Sequence, residues 1–374
     1  MCALRVLIAP DKFKGTLTAE QAADAIKTGW TAVRQADSLD LAPISDGGDG
    51  FGPILGAGLR AKVRTLKTVD AAHHPVHSQW WWARESKTAV IESANVIGLA
   101  MLPKGKHHPF ELDTRGLGQI ITAAGKVGAT RGLVGIGGSA TNDGGFGMAK
   151  VLGWRFLDRA GAEIETWPEL KNLRLIKRPK GSRPIRSLTV AVDVQNKLLG
   201  RLGCSRVYGP QKGLRPTDFK AAEAALRRLA VVMKDSTGAD LAQEPGTGAA
   251  GGLGFGLCAF AGARMRPGFD LIARHLKLRE RIRRADLVIS GEGSLDRSTA
   301  MGKGVGELAL LCRELRTPCI GLAGVVADRS KVLRLLTDAR ALVELTSARN
   351  AQQKAASWLV KLASRAAAEW PAPR

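Results

Sequence analysis

No apolar run in this chain reaches the ~18 residues that a membrane-spanning helix needs. The opening stretch, Met1 to Pro10, is apolar but meets Asp11 and Lys12 at once, too soon for a signal peptide. It reads as a first buried strand, and the expected location is cytoplasmic. Cysteine is scarce: Cys2, Cys204, Cys258, Cys312 and Cys319 make an odd set of 5 with no Cys-x-x-Cys pair. That argues against a disulfide framework and against zinc. The 6 histidines lack zincin spacing, and His73-His74 and His107-His108 fall in proline-containing, turn-like stretches. They read as solvated loop residues. No internal repeat and no low-complexity linker is visible. No Gly-Lys pair has a glycine five positions before its own glycine, so a P-loop kinase is excluded on pattern.

Acidic residues are outnumbered. Lys and Arg total 56 against 34 for Asp and Glu, a net charge of +22. Such a balance favours anionic partners. The basic residues are spread along the chain without an aromatic-rich basic module, so nucleic acid is not the expected partner. The densest basic run, Arg174 to Arg186, contains Lys177-Arg178-Pro179-Lys180 and reads as a solvated loop, with a polyanion-binding patch as the alternative.

A length of 374 residues suggests two domains. Short β-rich runs alternate with helical patterns, which predicts an α/β fold. The first strand, Leu4–Ala9, leads into the loop Asp11-Lys12-Phe13-Lys14-Gly15. A capping box, Thr18-Ala19-Glu20-Gln21, then opens a helix with Ala22, Ile26, Trp30 and Val33 on one face. A second strand is expected at Leu39–Ile44. In the middle, Ala61–Val69, Ser78–Ala83 and Thr88–Ser93 look like antiparallel strands. The run Trp80-Trp81-Trp82 must face both sides of its strand and is expected to pack on both. Strands are also expected at Gly132–Ile136, Leu188–Val194, Leu287–Ser290, Cys319–Ala323 and Leu342–Leu345. Helices are expected near Leu117–Val127, Gly304–Leu315, Ser330–Leu336 and Ala351–Glu369. Together these predict a Rossmann-like doubly wound domain from residues 1–65 and 285–374, with a second α/β domain, 66–284, inserted.

Glycine-rich loops recur at strand ends, where open parallel sheets place ligands. They are Asp11–Gly15, Asp46-Gly47-Gly48-Asp49-Gly50, Gly135–Gly145, Asp193-Val194-Gln195-Asn196, Gly209–Gly213, Gly246–Gly254, and Ser290–Asp296 followed by Gly302-Lys303-Gly304. Each alone is ordinary turn chemistry. As a set they hold what phosphoryl transfer needs: amides and lysines for phosphate oxygens, carboxylates for Mg2+, and a base for the acceptor hydroxyl. One feature points elsewhere. Gly135-x-Gly137-x-x-Ala140 with Asp158 downstream matches a relaxed dinucleotide fingerprint and would suggest an NAD(P)-dependent oxidoreductase of a hydroxy acid. Against it, Asp143 follows where a helix should begin, close to any pyrophosphate.

In this order the loops resemble those of the type 1 glycerate kinase family of bacteria. The resemblance is carried by Ile8–Leu17, Asp46–Gly50, Gly135–Gly145, Gly209–Gly213, Gly248–Gly254, Gly291–Asp296 and Gly302-Lys303, nearly the whole chain. It implies an ATP- and Mg2+-dependent kinase acting on D-glycerate, usually at the 2-hydroxyl. Two stretches depart from the family pattern: Lys197 follows Asn196 where proline is common, and Asp113–Gln119 carries Arg115 and Gln119 in place of a Thr/Tyr-rich version. The expected roles follow. Lys12 and Lys14 neutralise phosphate or the substrate carboxylate, with Asp11, Asp46 and Arg115 also near the substrate. Asp46, Glu292 and Asp296 hold Mg2+. Gly137, Gly138, Ser139, Thr141, Asn142, Asp143, Lys212, Glu292 and Lys303 surround the nucleotide phosphates. Asp193, at the end of an apolar strand, is the expected base, with Asp296 and the two lysines beside it in catalysis. A homodimer is compatible with the sequence.

Overall fold

The computed structural model describes residues 3–45, 47–300 and 304–371. Asp46 and Lys303, both expected in the site, lie outside the described residues. The chain forms two compact units, Met1–Asp46 with Phe269–Arg374, and Gly47–Gly268. No helix among the described residues is long and apolar enough to cross a membrane.

The first unit is built on a parallel sheet. In spatial order its strands are Asp338–Ala341, Cys319–Val326, Leu287–Leu295, Arg5–Ile8 and Ser38–Leu41. Numbered by chain order within the unit, this is the doubly wound order 2-1-3-4-5, whose switch point lies between the first and third strands. The helices Ala19–Thr31 and Ala355–Glu369 pack on each other so closely that a Cβ at Gly29 would sit 2.1 Å from the Val360 carbonyl. The capping box at Thr18 forms as the pattern predicts, with Gln21 as its partner. Ala22, Ile26 and Trp30 are buried, but Val33 is 45% exposed because the helix ends at Thr31. The expected strand at Leu342–Leu345 is displaced. The edge strand is Asp338–Ala341, and Leu342–Glu344 is a 3-10 turn that puts Leu342 and Leu345, three residues apart, on one side.

The second unit has a mixed sheet. Its strands run Arg264–Arg266, Ser187–Ala191, Arg131–Gly135 and Thr88–Glu92 in parallel, then Pro75–Ala83 and Lys62–Val69 antiparallel. The tryptophan run packs on both faces. Trp80 and Trp82 join the main core. Trp81 lies against the helix Phe51–Gly58, where the glycines give it room: a Cβ at Gly52 would sit 2.0 Å from the indole, and one at Gly56 2.4 Å.

The points where the chain changes unit differ from the 65/66 and 284/285 read from the sequence. Lys62–Val69 pairs along its length with Pro75–Ala83, so it belongs to the second sheet. The helix Leu278–Arg284 packs on Arg5–Ile8, and its Arg281 pairs with Asp40 at 2.5 Å, so it belongs to the first unit.

Alanine normally stabilises a helix relative to glycine by about 1 kcal/mol. At Gly52 the clash with Trp81 outweighs that gain, since overpacking costs about 1–3 kcal/mol. Gly52→Ala is therefore expected to lower the midpoint of urea unfolding. A raised midpoint would show that the indole can move aside.

Candidate functional site

The switch point of the first unit gathers the first and last loops of the series. The Asp11 amide donates to the Gly291 carbonyl at 2.8 Å, and Asp11 Oδ1 accepts the Lys12 amide. Phe13 anchors this loop. Its ring is 2% exposed, and its backbone exchanges hydrogen bonds with Leu17. Lys12 is thereby left half-buried and Lys14 exposed on either side of a fixed residue. Across the switch point, Glu292 Oε1 accepts the Thr299 hydroxyl at 2.7 Å, and the Asp296 amide donates to the same hydroxyl oxygen at 3.3 Å. Thr299 thus ties the Glu292 carboxylate to the backbone at Asp296. Gly304, with φ +50°, comes so near Asp11 that a Cβ would sit 3.0 Å from Asp11 Oδ2. Glu292 and Asp296 fit Mg2+ in kind, since that ion takes one or two carboxylates and keeps several waters. Among the described residues no group of three or more His, Cys, Asp or Glu converges on a metal position.

The second unit gathers three other loops at the ends of its parallel strands. Gly135 and Ala191 are paired in register, so Gly137 and Asp193 leave the sheet side by side. Gly47 lies over them: its carbonyl accepts the Gly137 amide at 3.4 Å, and a Cβ on it would sit 2.8 Å from Ala191 and 3.6 Å from Asp193 Oδ2. Gly138, at φ +76°, is exposed at the tip and close to Asp49. The Gly138 and Ser139 amides donate to no acceptor among the described residues, so two successive N–H groups are left where exposed Gly138 meets buried Ser139, an arrangement suited to an anion. Asp193 is half-buried and held in place, with Oδ1 accepting the Gly268 amide at 2.8 Å.

The rest of this loop turns inward. Asp143 is fully buried, and its carboxylate receives four bonds. Oδ2 accepts from the Thr114 amide, the Thr114 hydroxyl and the Gly147 amide, and Oδ1 from the Gly145 amide, all at 2.8–3.1 Å. These donors lie at the starts of the helices Arg115–Lys126 and Phe146–Val151, where the helix dipole also favours an anion. Burial, with Asp113 nearby, still raises the Asp143 pKa to about 6. Lys212 is buried too and donates to the Thr141 carbonyl at 2.7 Å. Desolvation lowers its pKa to about 8. Thr141 Oγ1 lies 3.0 Å from Ser139 Oγ, and Asn142 Nδ2 donates to Ser205 Oγ.

Several expected phosphate contacts are therefore supports. Thr141, Asn142, Asp143 and Lys212 have buried side chains engaged by protein, which leaves Gly137 and Gly138 as the part of the loop that reaches solvent. The glycines of 246–254 act in the same way. A Cβ at Gly251 would sit 2.0 Å from the Thr141 carbonyl, and one at Gly256 2.5 Å from the Gly144 carbonyl, so this segment packs behind the 137–145 loop. Asp158, which a dinucleotide site would need at a ribose, instead closes a turn by accepting the Ala160 and Ala162 amides. Arg115 opens its helix with its Nε 4.0 Å from Asp113 Oδ2.

Sequence reasoning missed Glu92. It is buried, and its carboxylate accepts the Gly50 and Gly52 amides, fixing the Asp49-bearing loop from beneath. Its signal was a single acid closing the otherwise apolar-and-threonine strand Thr88–Glu92. The loop histidines are also more engaged than expected. His73 meets Asp113 at 3.0 Å, and this bond raises the His73 pKa.

The model of the glycerate kinase family matches residues 6–371. The chain is 38% identical over 322 residues to a glycerate kinase of Halalkalibacterium halodurans, covering 85% of each chain. It is 35% identical over 332 residues to the glycerate 2-kinase of Escherichia coli, covering 87% of this chain and 86% of the other. Among solved structures it is similar to a candidate glycerate kinase 2 from Salmonella typhimurium LT2, with a TM-score of 0.85, 31% identity and 98% of both chains covered.

Two outcomes test the buried support. Asp143→Asn replaces an acceptor by a donor facing N–H groups and is expected to cost about 3 kcal/mol in urea unfolding; an unchanged midpoint would remove Asp143 from this role. Lys212 ordinarily titrates near 10.5 but here near 8. Between those values the unfolded chain holds a proton that the folded chain has released, so rising pH favours folding. Wild-type stability is expected to rise relative to Lys212→Met from pH 8 towards 10, by up to about 1.4 kcal/mol per pH unit. Parallel profiles would show that Lys212 is not desolvated.

Proposed function

The chain belongs to the glycerate kinase family, and we propose that it transfers the γ-phosphoryl group of ATP to the 2-hydroxyl of D-glycerate, with Mg2+. The observation that carries this reading is the tip at Gly138, where the Gly138 and Ser139 amides have no acceptor among the described residues, next in register to a carboxylate held at a strand end.

Phosphoryl transfer is mainly positioning and charge neutralisation. The amides of Gly138 and Ser139 would seat phosphate oxygens. Lys12 and Lys14, set on either side of Phe13, would offset phosphate charge, joined by Lys303. Glu292 and Asp296, with Asp46, would hold Mg2+, which supplies charge against the phosphate oxygens when bound. Arg115 and Asp11 would meet glycerate, Arg115 through the substrate carboxylate. Asp193 Oδ2 would accept the hydroxyl proton as the glycerate oxygen bonds phosphorus and the bond to ADP breaks. Its Oδ1 bond to Gly268 keeps the carboxylate oriented through the step.

Purified protein with Mg-ATP is expected to release ADP only when D-glycerate is present. The product's phosphorus signal should be a doublet from one carbinol proton; a triplet would assign the 3-hydroxyl. Asp193→Asn is expected to lower kcat by about 10²–10⁴ with the fold intact. Near-normal turnover in that variant would remove Asp193 as the base.

A further inference from the structure

The basic run Arg174 to Arg186 has no part in the site above, yet it borders a cavity of about 330 Å³ in the second unit. That is within the ~300–1,000 Å³ range of small-molecule pockets. The cavity lies at the other end of the sheet from Gly137 and Asp193. It is bounded by Ile185 and Leu188, where the strand Ser187–Ala191 begins. Trp154, Phe260 and Met233 form an apolar interior, and Trp154 and Phe260 meet edge to face with centroids 5.2 Å apart.

Arg178 and Arg183 also line the cavity, and among the described residues no Asp or Glu does. Both arginines are placed by the protein. The Arg178 guanidinium lies 6.0 Å from the Trp154 ring centroid. Arg183 sits against Gly262, where a Cβ would come within 1.9 Å of its Nη1. Gly262 caps the helix Ala249–Ala261, whose C-terminus favours a cation there. Thr237 and Ser182 are also among the lining residues.

We propose that this cavity is a second binding site, for a small organic anion with an aromatic or branched aliphatic body. The apolar interior takes the body, and the two guanidinium groups take the charged head. Arginine suits this role because its planar fork pairs with oxyanions and its face rests on an aromatic ring. The site is also joined to the loops described above. The helix Phe146–Val151 starts at Gly145 and is capped by Leu152, which lines the cavity. The helix Ala249–Ala261 likewise runs from the segment behind the 137–145 loop to the cavity wall at Ala259–Ala261.

The probe is 8-anilinonaphthalene-1-sulfonate, an aromatic anion, compared with neutral N-phenyl-1-naphthylamine, both followed by fluorescence titration of the intact protein. The sulfonate is expected to bind once per chain. Its affinity should fall about tenfold in Arg178→Ala/Arg183→Ala, the effect of losing two exposed charge contacts. The neutral probe should be indifferent to that change. Ala239→Trp, at an exposed position on the cavity lining, should remove binding of both probes. Glycerate-dependent turnover in the variants, without probe, should be that of the wild type and certify their folding. No sulfonate binding to the native protein would overturn the proposal, as would binding unchanged in the arginine variant or retained in Ala239→Trp. An equal loss of the neutral probe in the arginine variant would also overturn it, because the arginines would then be shaping the cavity rather than reading charge.

Discussion

The second unit's candidate site depends on one buried carboxylate. Asp143 joins the starts of two helices through four hydrogen bonds, with no exposure to solvent. A buried anion is costly unless its oxygens are satisfied, so the donors must stay in place. Thr114 contributes both its amide and its hydroxyl, and the same hydroxyl oxygen accepts the Met148 amide. Lys212 beneath Thr141 adds a partly neutralising charge. The result is a rigid base under a tip that only glycine and serine backbone completes.

Rigid support explains where glycine is needed. At Gly251 and Gly256 the requirement is close approach: any Cβ would strike the carbonyls of Thr141 and Gly144. At Gly138 it is conformation, because φ +76° turns successive amides outward. The first unit reaches its arrangement differently. There the strand order itself opens a crevice between Arg5–Ile8 and Leu287–Leu295, and the chain lines it with Asp11, Lys12, Glu292 and Asp296.

Local patterns made much of this legible. The capping box at Thr18 marked a helix start to the residue, and three adjacent tryptophans could be assigned to both faces of a strand from period two alone. The loops proposed to carry the chemistry stood out by composition. Burial within those loops did not. Asn142-Asp143-Gly144-Gly145 reads as a solvated turn, and only Thr114, 29 residues earlier, reveals the carboxylate as a buried tie. Glu92 was hidden for the same reason, since its partners at Gly50 and Gly52 lie in another element. Leu342–Leu345 misled because apolar residues three apart fit a 3-10 turn as well as a strand. Long-range pairing decides each case, and no local window contains it.

The central claim is that the Gly138 and Ser139 amides seat the phosphates. Backbone amide NMR of the isotope-labelled protein, titrated with a non-hydrolysable ATP analogue and Mg2+, tests it most directly. The account predicts that the Gly138 and Ser139 proton resonances move downfield to saturation, as amides do on donating to phosphate oxygen, while that of Gly147, already donating to Asp143, stays nearly fixed. Saturating analogue with both tip resonances unmoved would contradict it.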